Sequence, residues 1–333
     1  MKYISFVVPC YNSADYMEKC IDSLLLGGDD IEIIIIDDGS TDKTGKIADK
    51  YQKKYPNIVK TIHQENGGHG EGINTGLKHA KGKYFIVVDS DDWVDKSAYK
   101  KLLKKIKTID SDLIVMNYVY SYNDGRKNQV INYSNIFKDQ KEITWSETGR
   151  WKINQYPFIH SMMYKKSVLD KAKIKLPKHI FYVDNLFIYL PLIYTNSIYY
   201  LNIDFYRYFI GRPDQSIQED LLIERSMDQV QIAEAICTKY DLDSVKDKKL
   251  RKIMKRECVF LMTLGIIFSR LSYSKEGERQ YKEMWRHVKE SNPKLYKSMR
   301  PFSMAYCSSI PTPIGRFIAL KGYKFAHKIV KFN

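Results

Sequence analysis

The chain of 333 residues has few cysteines. Cys10, Cys20, Cys237, Cys258 and Cys307 are scattered, odd in number and form no CxxC pair, which speaks against a disulfide framework or a zinc site and fits a reducing compartment. Long apolar runs are also missing: the longest, Cys258–Phe268, is about half of what a bilayer-spanning helix requires. The opening MKYISFVVPC offers one Lys and a short apolar stretch that passes directly into Tyr11 and Asn12, with no small-residue cleavage pattern, so no secretory leader is expected. Neither phosphate-binding glycine fingerprint occurs. The first apolar run leads into Pro9-Cys10-Tyr11-Asn12, and Gly67-Gly68-His69-Gly70-Glu71-Gly72 has the wrong spacing for a dinucleotide or P-loop site, so NAD and ATP chemistry are unsupported.

Acid is scarce towards the carboxyl end. From Leu221 onward 23 Lys and Arg face 11 Asp and Glu, which supplies +12 of the net +15, and from Ser291 there are eight basic residues and no acidic one. Such a surface faces something anionic. What is present otherwise is ordinary: 44% hydrophobic and 28% charged residues describe a folded soluble chain long enough for two domains.

Short β-rich runs alternate with helical periodicity over the first hundred residues, which predicts βαβ units and a mostly parallel sheet flanked by helices. Strands are expected at Tyr3–Val8, Ile31–Ile36, Ile58–Ile62, Tyr84–Val88 and Leu113–Tyr120. The four isoleucines Ile33–Ile36 read as a central strand buried on both faces. Helices are expected at Ala14–Leu26, Asp42–Tyr55, Gly72–Ala80 and Lys96–Thr108. Beyond Leu221 the pattern turns helical, at Leu221–Tyr240, Lys246–Leu271 and Glu276–Glu290. The division follows as residues 1–217 and a smaller, basic, helical domain of residues 218–333.

Ligands of an open α/β sheet bind beyond the carboxyl ends of its strands. Two acidic clusters fall there: Asp37 and Asp38 after the isoleucine strand, and Asp89-Ser90-Asp91-Asp92-Trp93 after Tyr84–Val88. Three carboxylates within four residues repel one another unless a cation neutralises them, and oxygen ligands suit hard divalent ions, so Mg²⁺ or Mn²⁺ is inferred.

Val8-Pro9-Cys10-Tyr11-Asn12, Ile36-Asp37-Asp38-Gly39-Ser40-Thr41-Asp42, Asn66-Gly67-Gly68, Asn74-Thr75-Gly76 and Val88-Asp89-Ser90-Asp91-Asp92-Trp93, in this order, resemble the family 2 glycosyltransferases of the GT-A fold. The resemblance implies an inverting, metal-dependent transfer of a sugar from a nucleotide donor, UDP-linked, to a surface-glycan acceptor such as capsule or exopolysaccharide, a lipid-linked oligosaccharide or a teichoic acid. It implies that Pro9, Tyr11, Asp37, Asp38, Asn66, Gly67, Asp89, Ser90 and Asp92 line the donor site and that Asp91 holds the metal. Tyr182-Val183-Asp184-Asn185-Leu186-Phe187 resembles the segment that carries the base, which makes Asp184 the base and His160 its nearest rival; as an ordinary residue, Asp184 would cap a helix over Asn185–Ile193. Tyr206-Arg207 and Gly211–Ser216 resemble the flexible segment that follows, where Arg207, Arg212 and Ser216 would reach the phosphates. Many members carry Arg where this chain has Ile73, and His69 is the nearby substitute for holding the nucleobase.

Arg316–Phe332 mixes apolar and basic residues in a way that suits the interface of an anionic membrane, or packing on the domain or on a second copy; no nucleic-acid motif accompanies it. The resulting expectation is a cytoplasmic hexosyl- or N-acetylhexosaminyltransferase, peripheral on the inner membrane face. The alternative is a non-catalytic nucleotide-sugar or polyanion-binding module.

Overall fold

The isoleucine run lies in a fully buried strand of a ten-stranded sheet. In the computed structural model, which describes residues 1–152, 155–212, 219–313, 315–317, 319–321 and 323, every residue of β2 (Ile31–Asp38) is buried. It pairs in parallel with β1 (Ile4–Cys10) and β3 (Val59–Gln64), and β1 pairs in parallel with β4 (Tyr84–Val87). The remaining strands are β5 (Trp93–Val94), β6 (Leu113–Tyr122), β7 (Gln129–Ile131), β8 (Glu142–Ile143), β9 (Met162–Lys165) and β10 (Ile198–Ile210). Their order, β3-β2-β1-β4-β9-β6-β10-β5, makes the sheet mixed. The expected parallel half is there, but β9 enters antiparallel between β4 and β6, and β10 returns parallel to β6. Chain direction reverses its march across the sheet at β1 and β4, which opens a crevice beyond their carboxyl ends.

Helices α1 (Met17–Leu24), α2 (Thr44–Lys54), α3 (His69–His79), α4 (Lys96–Ile106), α5 (Lys166–Ala172) and α6 (Asp184–Tyr189) belong to this unit, Met1–Lys152 with Pro157–Gly211. Helix α3 begins at His69, three residues earlier than its apolar spacing predicts, so the glycine stretch forms its first turn. It lies close on β1 because two of its glycines face that strand. A Cβ at Gly76 would stand 2.3 Å from Val7 Cγ1, and one at Gly72 would stand 3.0 Å from the Pro9 Cβ. Side chains at these positions would force the helix off the sheet.

The second unit, Ile153–Tyr156 with Arg212–Asn333, is helical in its described residues: α7 (Glu219–Glu224), α8 (Ser226–Lys239), α9 (Lys248–Leu271), α10 (Lys275–Ser291), α11 (Pro293–Met299) and α12 (Met304–Ser308). The predicted helix Leu221–Tyr240 is two helices, interrupted at Arg225 (φ −92°, ψ 18°). Asp247, Ser274, Asn292 and Ser303 cap α9 to α12 with side-chain oxygens. No helix among the described residues is long and apolar enough to cross a membrane. Arg270 is buried and ties the unit together, donating to the Ser308 and Ile310 carbonyls and to the Tyr281 hydroxyl.

Glu257, in the middle of α9, is 8% exposed, and burial pushes its carboxyl up to about 8 against the opposing charge of Arg256. Below the ordinary carboxyl range both folded and unfolded chains hold this proton, and no cost arises. As pH rises from there towards 8 the unfolded chain releases it while the folded chain keeps it, so stability falls. Above 8 the loss levels off at a few kcal/mol. Chemical denaturation across this range should show Glu257→Gln gaining on the native protein from about pH 5 upward and reaching a plateau near pH 8.

Candidate active site

The acids that end β2 are spent on organising the glycine turn before α3. Asp38 Oδ1 accepts from Gln64 Nε2 at 2.6 Å and from the Gly67 N–H at 2.9 Å, its Oδ2 accepts from the Gly68 N–H at 2.8 Å, and its carbonyl accepts from Asn66 Nδ2 at 2.9 Å. Gly68 has φ 80°, and its turn rests on the chain before α6, where the His179 N–H donates to the Gly67 carbonyl at 2.9 Å. Asp37 bonds His63 Nδ1 at 2.8 Å, which raises the imidazole pKa, and accepts from the Ser40 N–H at 3.2 Å. Asp37, Asp38, Asn66 and Gly67 thus form one wall at the end of β2.

The end of β1 forms the floor. Pro9 is buried, Tyr11 stands 53% exposed, and Asn12, with φ 48°, closes on the β2 turn through Ser40 and Thr41. Ser13 Oγ bonds Ser90 Oγ at 2.9 Å, joining the β1 loop to the acidic loop after β4. Beneath them Cys10 and Cys20 are buried, and burial pushes both thiols up, so neither offers a nucleophilic thiolate.

The acidic loop is held by a tyrosine and two histidines. Tyr206 of β10 accepts from the Asp89 N–H at 3.0 Å and donates to Asp92 Oδ2 at 2.7 Å, while Asp92 Oδ1 takes the Phe209 N–H at 2.8 Å. Asp92 is buried, and burial together with Asp91 and Asp89 pushes its carboxyl up. Asp89 meets His69 Nε2 through Oδ1 at 3.1 Å and His160 Nε2 through Oδ2 at 3.4 Å. Burial opposes its ionisation, but the two imidazoles outweigh burial and hold it well below the usual carboxylate range. Its side chain keeps 29% exposure, as befits a group on the floor of a cleft with one wet face. His160 is packed between the rings of Tyr206 and Tyr208, each at 4.5 Å, and its Nδ1 is buried with no hydrogen-bond partner.

Asp184 is the first residue of α6, partly exposed, and accepts from Asn185 Nδ2 at 3.3 Å. Burial pushes its carboxyl up; the charges of His69 and His160 pull against this and Asp89 adds to it. The same imidazoles therefore act on Asp89 and on Asp184, which brings the sequence's base candidate and its acidic motif to one place. A raised carboxyl is a stronger base once ionised.

Among the described residues, the side chains with donor atoms converging within 4.8 Å of one another are Asp89, Asp92 and His160. Two carboxylates and an imidazole with an orphaned nitrogen suit a hard divalent ion. Asp91, the expected ligand, is not a member of this trio but lies near enough for its charge to act on Asp92 and His69. His69, the candidate for holding the nucleobase, bonds Asp89 through its Nε2. Arg207 donates to Asp95 at 2.8 Å and lies in strand β10. Arg212 lies just after β10 and is partly exposed, and Ser216 falls outside the described residues. The tyrosine bridge was not foreseen. Its signal is the alternation Tyr206-Arg207-Tyr208, which puts both tyrosines on one face of a strand.

The family model described as glycosyl transferase family 2 matches residues 5–171, half of the chain. The chain belongs to this family. Glycosyltransferase GlyG of Streptococcus pneumoniae is 36% identical over 162 residues, 47% of this chain and 54% of that one. The poly(ribitol-phosphate) beta-glucosyltransferase of Bacillus spizizenii is 33% identical over 183 residues, 53% of this chain and 27% of that one. The chain spans about half the length, or less, of these two curated family 2 relatives. In fold it resembles TarS residues 1–349 of S. aureus, solved with UDP and with UDP-GlcNAc, at TM-score 0.69 and 21% identity over 98% of this chain and 92% of that one. The family 2 match covers β1 to α5, which include the acidic loop, and ends before Asp184.

Asp38→Ala leaves the buried Gly67 N–H and the half-buried Gly68 N–H without an acceptor and should cost about 1–3 kcal/mol in chemical denaturation. Asp38→Asn, which keeps one acceptor oxygen, should recover part of that loss.

Proposed function

We propose that this chain is an inverting, metal-dependent glycosyltransferase that moves a hexosyl or N-acetylhexosaminyl group from a UDP-sugar to a hydroxyl of a surface-glycan acceptor. The observation that carries the reading is Asp89 at the β1–β4 crevice with His69 and His160 on its two oxygens, where the charges of the same imidazoles also act on Asp184. In the reaction the acceptor hydroxyl attacks the anomeric carbon, its proton passes to the Asp184 carboxylate, and the bond to the diphosphate breaks with its electron pair leaving on the phosphate. Pro9, Tyr11, Asp37, Asp38, Asn66 and Gly67 shape the nucleoside end of the cleft. Asp38 does so through the turn it holds. Ser90, Asp89 and Asp92 form the ribose and diphosphate end, and the donor phosphates are the proposed partners of Arg207, Arg212 and Ser216. Asp91, with Asp89, Asp92 and His160 beside it, would hold Mn²⁺ or Mg²⁺, which would supply positive charge for the departing diphosphate.

The UDP and UDP-GlcNAc complexes of TarS support the donor class, and the ribitol-phosphate relative supports a teichoic acid or similar cell-surface polymer as acceptor. The same reading puts the enzyme at the cytoplasmic face of the membrane, where such acceptors are assembled.

Release of nucleoside diphosphate from a panel of nucleotide sugars, with Mn²⁺, Mg²⁺ or EDTA, tests the proposal. Turnover of a UDP-sugar should require metal and vanish in Asp91→Ala. Asp184→Asn should lose at least about a hundredfold in kcat while donor-induced thermal stabilisation persists. Failure of every nucleotide sugar to stabilise the protein with either metal would overturn the assignment, and an undiminished Asp184→Asn would move the base to His160.

A further inference from the structure

Among the described residues, five of the ten exposed large apolar side chains belong to the helical unit: Tyr273 and, in one short stretch, Phe302, Met304, Ile310 and Phe317. Phe302 is 91% exposed, although it lies between ordered helices α11 and α12. Arg270 holds the Ser308 and Ile310 carbonyls, and Arg316 donates to the Arg270 carbonyl at 2.6 Å and lies 4.5 Å over the Tyr273 ring, which brings the Ile310 end of this segment and Tyr273 to the same arginine pair. Cations surround them. Arg300 donates to the Tyr296 and Tyr306 hydroxyls, Lys321 lies over the Phe317 ring, and Lys297 is exposed. Lys294 is paired with Asp243. The neighbouring acids of α10 are already engaged, Glu276 by Arg279 and Glu278 by Arg270 and Tyr281.

We propose that Arg300–Phe317, together with Tyr273, docks the helical unit onto an anionic lipid bilayer. Phe302, Met304, Ile310 and Phe317 enter the boundary between headgroups and acyl chains, while Lys297, Arg300 and Lys321 remain with the lipid phosphates. Charge complementarity selects this occupant. A second copy would set one basic surface, its neighbouring acids already engaged, against another. A polyol-phosphate chain would satisfy the cations but leave the apolar side chains in water. The surface begins well before the Arg316–Phe332 stretch that the sequence singles out, in residues whose side chains are held in place. It deepens the peripheral reading proposed above and does not depend on the transfer chemistry.

Co-sedimentation of the full chain with phosphatidylcholine vesicles, with and without phosphatidylglycerol, is the test. Binding should require phosphatidylglycerol and weaken with salt. Lys321→Gln should reduce it about fivefold and Phe302→Ser/Met304→Ser about tenfold or more. Donor-induced thermal stabilisation of the same variants should be unchanged, which separates a failed docking surface from a failed donor site and reports that the fold is intact. Absence of binding to phosphatidylglycerol vesicles would overturn the proposal, as would binding that the double variant leaves intact. Lipid-free self-association in analytical ultracentrifugation that the double variant abolishes would assign the surface to a second copy instead.

Discussion

Like charge gathered at the ends of β2 and β4 is the constraint around which this unit is arranged. Asp37, Asp38, Asp89, Asp91 and Asp92 are delivered to one crevice by parallel strands, and their mutual repulsion has to be met inside it. The neutralisation differs at each acid whose bonds are described. Asp38 takes backbone N–H groups, Asp37 a histidine, Asp92 a tyrosine hydroxyl and an N–H, and Asp89 two imidazoles. Each device also fixes a piece of the site, so the glycine turn, the tail of β10 and the segment before β9 take their places through charge that they counter.

This arrangement separates two kinds of carboxylate. Asp38 and Asp92 are buried with their oxygens committed to the fold, and their value lies in what they hold. Asp89 and Asp184 keep contact with solvent and share the field of His69 and His160. A proton leaving an acceptor hydroxyl and a charge growing on a leaving diphosphate would both be felt by the same pair of rings.

Much of this was legible in the sequence because it is local. The isoleucine run, the acidic strand ends and the Gly67–Gly68 turn each declare themselves within a few residues, and the strands and helices of the first hundred residues follow. The antiparallel additions were not legible. β5 and β9 are short, and β10 carries Tyr, Asn, Asp and Arg along a half-buried length that lacks an apolar rhythm. Tyr206 could not be connected with Asp89 or Asp92 from the sequence, since more than a hundred residues separate them. His160 had the same difficulty: its environment is made by β6, β10 and the chain before β9, and no single segment contains it. The split of the helix near Arg225 is likewise invisible to apolar spacing, which continues across it.

The glycines of α3 give this helix a further character. Gly72 and Gly76 press it onto β1 with no room for a side chain, while its first turn is the one that Asp38 grips and its first residue, His69, holds Asp89. The helix is therefore a stiff rod with one end in the crevice, and its buried side has no freedom to drift in sequence. A side chain added at Gly72 or Gly76 would be felt at the far end of the rod, where His69 and the glycine turn meet the acids.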